Sequence, residues 1–387
     1  MFTNLTVSAR PFSERPGPGN TGCRIAEQDL ILWADHDKNY DNNDKIKIAD
    51  TTIVGALFTG AMKVYAPRVT FVDCIFSGTL NGTDCSGPLY NLQTYDNSVS
   101  AMKVSHCTLT EARGTNLNID KGVTTTQAGN SLGANNLIEY CNIGGNCQDS
   151  CKSNKGTTFY KSWIHSAGSN KYKPLGHGDL LQSVRPDGDL IIDQCYFDMK
   201  SQTFSTDKTT NPPDGNDVCN CYKVPDKKGN AAVIWKCERD DGGDCSGNVT
   251  IKDSWVNGGN YMLYHAMEQD CCDGGDCDKT GASAIDCGNY HSNYVLSGST
   301  IGRDFAFGLF SADYNGTSPG NITGTRTFLD NKFEDGIPIA DGTVASKYYN
   351  RYNCFFAAPG AYNECPGVTW PCSTPGDCTG VGCEECS

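Results

Sequence analysis

A short pattern of apolar and polar positions recurs along the chain: VTFVDCIF (69–76), AMKVSHCTL (101–109), NNLIEYCNI (135–143), TTFYKSWI (157–164), DLIIDQCYF (189–197), NVTIKDSWV (248–256), NYVLSGSTI (293–301) and TRTFLDNKF (325–333). Each segment ends on an apolar residue: Phe76, Leu109, Ile143, Ile164, Phe197, Val256, Ile301 or Phe333. Five positions earlier stands a second apolar residue: Phe71, Val104, Ile138, Phe159, Ile192, Ile251, Leu296 or Phe328. Two positions before the end stands a small residue: Cys74, Cys107, Cys141, Ser162, Cys195, Ser254, Ser299 or Asn331. The segments are too short for helices and rich in β-branched and aromatic residues, so they read as strands.

Repetition with constant internal offsets points to stacking. A single coil cannot bury its own apolar positions, but stacked coils bury them in columns stepped by roughly 4.8 Å. The pattern therefore predicts a parallel β-helix, with an antiparallel sandwich of short strands as the ordinary alternative. TTIVGALF (51–58) reads as an earlier, degenerate coil. The small position becomes an inward column, in which the spacing allows Cys107 and Cys141 either to bridge or to stay buried thiols. Residues 1–50 are expected to cap the first coil, with AEQDLILWAD (26–35) as a short helix or strand. The coil occupies 51–350, and the Cys-rich tail 351–387 forms a disulfide-held cap. Two insertions, 205–247 and 266–290, each hold an even number of cysteines and are expected to be stapled internally.

Composition narrows the setting. A formal net charge of −14 disfavours nucleic acid and anionic lipid as partners. No apolar run approaches the ~18 residues of a membrane span. The 22 cysteines imply disulfides and export. Five sequons, at Asn4, Asn81, Asn248, Asn315 and Asn321, agree with a secreted or cell-surface glycoprotein. The first residues, MFTNLTVSARPFSERPG, lack the regions of a signal peptide, so the numbering omits the signal or covers an excised part of something longer.

Candidate chemistry concentrates between residues 148 and 185. Asp149-x-x-Lys152-Ser153 aligns with Asp179-x-x-Gln182-Ser183, and both are followed by a turn. In adjacent coils Asp149 stacks on Asp179, and Lys152 on Gln182. Two carboxylates so placed share a proton or bind a cation, calcium being the natural one for oxygen ligands. His177, two residues before Asp179, suits a general acid or base. The expected catalytic set is therefore Asp149, His177 and Asp179, with Lys152, Lys173, Gln182 and Arg185 contacting substrate. Asp149 and Asp179 are the calcium candidates. A polar ladder that only keeps the coil hydrogen-bonded accounts for the same residues.

With these residues the sequence resembles the right-handed parallel β-helix superfamily of pectin-active enzymes, over roughly residues 50–335. Gly176-His177-Gly178 followed by Ser183-Val184 is similar to part of the polygalacturonase pattern, with Asn118-Ile119-Asp120 and Gln148-Asp149 in the places of its Asn-x-Asp and Asp-Asp elements. One carboxylate of the pair is missing, and no Arg-x-Lys follows Gly178. The resemblance implies a right-handed coil and a secreted lyase or hydrolase that cleaves or binds an acidic polysaccharide. The alternative is a non-catalytic, glycosylated subunit of an extracellular coat, fibre or appendage, partnered by copies of itself or by other subunits.

Overall fold

The structure, a computed structural model, describes residues 15–33, 44–77, 88–95, 99–119, 135–146, 148–167, 178–184, 186–199, 231–237, 247–267, 290–302, 305–311, 322–334, 336, 338–339 and 341–344. The tail from 351 and the two Cys-bearing insertions for most of their length lie outside these residues.

Apart from the separate pair Tyr290–His291 and Ile322–Thr323, the described strands stack into three long sheets around one core. The first sheet holds Thr52–Val54, Thr70–Val72, Lys103–Ser105, Asn136–Glu139, Lys155–Tyr160, Asp187–Asp193, Val249–Lys252, Tyr294–Ser297 and Arg326–Leu329, and ends with the antiparallel strand Gly342–Val344. The second sheet runs from Ile31–Leu32 to Lys332–Phe333, and the third from Asp44–Ile46 to Phe305–Ser311. Apart from that terminal strand, every pairing in the three sheets is parallel, as in a right-handed parallel β-helix, the hand that parallel connections almost always take. A sandwich of hairpins is excluded.

The repeated pattern supplies the first two strands of each coil and the corner between them. Phe71, Val104, Ile138, Phe159, Ile192, Ile251, Leu296 and Phe328 stand in register in one buried column. Phe76, Leu109, Ile143, Ile164, Phe197, Val256, Ile301 and Phe333 form a second. The segment 51–58 is a full member, not a degenerate one. Ile53 pairs with Phe71, Phe58 with Phe76, and Ala56 takes the small position. The N-terminal segment forms a 3-10 turn at Glu27–Asp29 and then the strand Ile31–Leu32, which pairs with Ala56 and Leu57.

The residue before each small position adopts a left-handed conformation: Gly55, Asp73, His106, Tyr140, Lys161, Gln194, Asp253, Gly298 and Asp330, with φ between 43° and 67°. For a residue with a Cβ this costs about 1–2 kcal/mol. The corner recovers it through hydrogen bonds. The small side chain donates to the carbonyl two residues back, as Ser254 Oγ does to Lys252 O (2.8 Å) and Cys141 Sγ to Glu139 O (3.2 Å). It also accepts the backbone N–H of the equivalent residue one coil earlier: Cys195 N–H to Ser254 Oγ (3.0 Å), Ser254 N–H to Ser299 Oγ (3.2 Å) and Ser299 N–H to Asn331 Oδ1 (3.0 Å). Cysteine fills the same place, since Cys74 N–H points at Cys107 Sγ (3.4 Å) and Ser162 N–H at Cys195 Sγ (3.5 Å).

This decides the cysteine question for the corner. Cys23, Cys74, Cys107, Cys141, Cys151 and Cys195 are buried free thiols, so Cys107 and Cys141 do not bridge. Burial pushes the Cys195 thiol up to about 12, and Cys107 and Cys151 also well above the ordinary thiol range. The cysteine count thus overstates the disulfide content, and these six lend no support to export.

The corner account predicts that Ser254→Cys changes stability by less than about 1 kcal/mol, whereas Ser254→Ala, which strands the Cys195 N–H, costs about 1–3 kcal/mol in urea unfolding.

Candidate functional site

A second polar corner, between the second and third sheets, sets the approach to Asp149. Asn91, Asn116 and Asn146 form a buried ladder, with Asn91 Nδ2 donating to Asn116 Oδ1 (2.9 Å) and Asn116 Nδ2 to Asn146 Oδ1 (3.3 Å). Asn146 Nδ2 donates in turn to the carbonyls of Gly114 (3.0 Å) and Asp149 (2.6 Å). Ser150 Oγ lies 3.0 Å from Asn146 Oδ1 and 3.1 Å from the carbonyl of His165. Asp149 is thereby fixed at the start of the strand Cys151–Ser153, beside the equivalent point of the next coil.

The expected stacking is present: Lys152 stands opposite Gln182, and Cys151 opposite Leu181. There both carboxylates accept backbone amides. Asp149 Oδ1 accepts the backbone N–H of Asp179 (3.0 Å), and Asp179 Oδ1 accepts that of Ala231 (2.8 Å). The second oxygen of each meets the residue three positions on: Lys152 Nζ lies 3.2 Å from Asp149 Oδ2, and Gln182 Nε2 donates to Asp179 Oδ2 (3.1 Å). Each Asp-x-x-Lys/Gln unit thus caps an amide of the coil that follows. Asp149 is 4% exposed and Asp179 fully buried. Burial first, and the charge of Asp149 second, raise the Asp179 carboxyl well above the usual carboxylate range.

The pair does not fit calcium. That ion takes about 6–8 oxygen ligands, and here a lysine ammonium, a glutamine amide and two backbone N–H groups already face the four carboxylate oxygens. Among the described residues no group of three or more His, Cys, Asp or Glu side chains is disposed to hold a metal.

A buried histidine, His265, and a half-buried one, His165, are each held by neighbouring side chains. Arg326 Nε donates to His265 Nδ1 (2.9 Å), and His265 Nε2 contacts Ser292 Oγ (2.9 Å). Because guanidinium only donates, Nδ1 accepts and the proton sits on Nε2. His265 therefore donates to Ser292 and has no free nitrogen to take a serine proton, so the pair is no nucleophile–base dyad. Burial, then the charge of Arg326, hold its pKa well below the ordinary histidine value. His165 lies flat on Trp163, with ring centroids 3.6 Å apart, and its Nε2 meets Asn142 Oδ1 (2.8 Å). Burial lowers its pKa to about 4.

The outward face of the third sheet has a different character. Lys45, Lys63, Gln93, Asn118, Lys152, Gln182, Ile234 and Tyr264 stand in register along one column. Asn118 is buried, and its Oδ1 has no hydrogen-bond partner among the described residues. The column contains no carboxylate, although the chain as a whole is acidic. Reading for paired carboxylates missed it. Its sequence signal is the alternation in KIK (45–47), MKVY (62–65) and LQTY (92–95).

The register also corrects the polygalacturonase alignment. Asn118 pairs with Lys152, not with Gln148 or Asp149, so the Asn118 level lies three residues, about 10 Å, along the strand from Asp149. Asn118 and Asp149 are therefore not opposite each other. Asp120, Lys173, His177 and Arg185 lie outside the described residues. So do the sequons at Asn4, Asn81, Asn315 and Asn321. The fifth, Asn248, is a rung of a third ladder: its Nδ2 donates to Asp189 Oδ1 (3.1 Å), and its Oδ1 accepts the Asn293 N–H (3.0 Å). Among the described residues no helix is long and apolar enough to cross a membrane.

No family model matches the chain, and no curated protein matches it in sequence. Among solved structures it is similar to that of PfbA, a surface adhesin of Streptococcus pneumoniae, with 10% sequence identity and a TM-score of 0.40, over 78% of this chain and 73% of that one.

His165 gives a pH prediction. Its folded pKa, about 4, lies below the ordinary 6.5, so the unfolded state binds the extra proton first as the solution is acidified. Its contribution is complete above about pH 6.5 and falls between pH 6.5 and 4, by no more than about 3.5 kcal/mol. Urea midpoints across this range are expected to fall, and to fall less in His165→Gln.

Proposed function

We propose that this protein is an extracellular β-helix that binds an acidic polysaccharide along the outward face of the third sheet without cleaving it. The observation that carries this reading is the contrast between two sets of polar side chains. The carboxylates of Asp149 and Asp179 are buried and committed to backbone amides, so they are poorly placed to reach a substrate from solvent. The outward column instead offers Lys45, Lys63 and Gln93 from three consecutive coils, repeating about every 4.8 Å, whereas farther along it Lys152 and Gln182 hold the second oxygens of Asp149 and Asp179. That step is comparable with one sugar residue of an extended polymer. Lysine supplies a counter-charge to uronate, and amides supply hydrogen bonds to hydroxyls. Placement outside the cell rests on the sequons, and on the cysteines other than the six buried thiols.

A rod-like structural subunit is the second reading. The observation that favours it is apolar exposure at the open first turn, with Ile31, Leu32 and Ile48 at 57%, 54% and 75%, a surface suited to another copy or subunit.

The test incubates the purified chain with polygalacturonate. Retardation in a gel containing the polymer is expected, with no new reducing ends and no unsaturated product, with or without calcium. Asp149→Asn is expected to leave the retardation unchanged. Depolymerisation by the wild type that Asp149→Asn abolishes would overturn the reading in favour of an enzyme.

A further inference from the structure

The N-terminal segment does more than pair with the first coil. Residues 15–33 run along the outside of the corner between the first and second sheets, against the order of the coils. The Arg15 guanidinium lies over the ring of Tyr196, 4.3 Å from its centroid. Gly22 N–H donates to Tyr140 O (2.8 Å), and Cys23 N–H to Thr108 Oγ1 (3.0 Å). Arg24 then clasps Asp73, with Nε donating to Oδ1 (2.8 Å) and Nη2 to Oδ2 (2.6 Å). At the first coil Ile31 N–H donates to Gly55 O (2.9 Å) and Trp33 N–H to Leu57 O (3.0 Å). From Tyr196 back to Leu57 the second sheet steps through Trp163, Asn142, Thr108 and Ile75, one coil at a time. Five steps of about 4.8 Å make roughly 24 Å.

We infer that residues 15–33 are a latch, which closes only after these six coils have stacked and then holds them as one unit. Two features carry the inference. First, the latch has a built seat. Asn20, Thr21, Cys23 and Ile25 are buried. The turn before them is tied internally, with Gly17 N–H donating to Asn20 Oδ1 (2.7 Å) and Asn20 Nδ2 to Arg15 O (3.1 Å). Gly22, at φ 83°, fits so closely that a Cβ there would lie 2.6 Å from Thr108 Oγ1 and 2.9 Å from Asn142 Cβ. Tyr196 alternates with the inward Phe197 and so points out of the sheet, yet under Arg15 it is only 8% exposed. Second, the seat is assembled from coils far apart in sequence. In a solenoid each coil otherwise touches only its neighbours, so the end coils open first. The contacts at Tyr196, Tyr140, Thr108, Asp73 and Gly55 exist together only once all these coils are in place. They therefore form late, and act by slowing unfolding rather than by speeding folding.

The test uses the full chain in two latch variants, Arg24→Gln and Gly22→Val, and one control. The control, Arg68→Gln, removes a similar two-bond clasp on Asp50 that lies exposed on the first coils. Each latch variant is expected to unfold in urea at least about fivefold faster than wild type, with refolding within about twofold of it. The control is expected to stay within about twofold on both limbs, because its ion pair is solvated. In native-state hydrogen exchange the amides of Phe71, Val104 and Ile138 are expected to exchange at least about fivefold faster in the latch variants, while Leu296 and Phe328, in coils past the latch, keep their wild-type rates. Refolding slowed as much as unfolding is accelerated would overturn the late closure. Unchanged exchange at Phe71, Val104 and Ile138 would overturn the latch itself. So would acceleration shared equally by Leu296 and Phe328, or an equal effect of Arg68→Gln.

Discussion

The structure depends on how each coil turns its corner. Entering the second sheet, the chain takes a left-handed step that breaks the regular pleat, and a backbone N–H is left without a strand partner. The next coil supplies the acceptor, a thiol, hydroxyl or amide oxygen on the small residue after the step. That one requirement fixes a small polar or sulfur-bearing side chain at the corner. It also sets the lateral register of neighbouring coils, and with it the phenylalanine and aliphatic columns on either side. Burial of those columns provides the bulk of the driving force, and the rungs make only one stacking satisfactory.

The same device recurs away from that corner. The Asn91–Asn116–Asn146 ladder serves the bend into the third sheet, and Asp189–Asn248–Asn293–Thr325 forms another run near the start of the first. Asp149 and Asp179 belong to this set. Each lends one carboxylate oxygen to an amide of the next coil and ties the other to Lys152 or Gln182. In three dimensions these two members of the expected catalytic set form rungs.

The two-strand repeat was legible because its inward positions, such as Phe71 and Phe76, are uniformly apolar and keep constant offsets. The stacking of Asp149 on Asp179 was legible for the same reason. The third strand was not, because loops of different lengths precede it and its inward positions include Thr94, Ser153, Ser183 and His265, which break the alternation. The burial of Asp179 was not legible either. It depends on Ala231, fifty-two residues away, presenting an N–H to it. The corner cysteines misled in another way, since their number suggested bridges while their partners are backbone groups. The outward column of the third sheet was readable in KIK, MKVY and LQTY, but only once the coil had placed these three segments side by side.

Hydrogen–deuterium exchange resolved to single amides tests the central claim most directly. If side-chain rungs hold the coils in register, the N–H groups of Cys195, Ser254 and Ser299 at the corner, and of Asp179 and Ala231 above the carboxylates, exchange as slowly as the strand amides of Ile192 and Leu296. Fast exchange at those five positions, with the strands still protected, would contradict the account, because the corners would then be solvated breaks and the carboxylates free for other work.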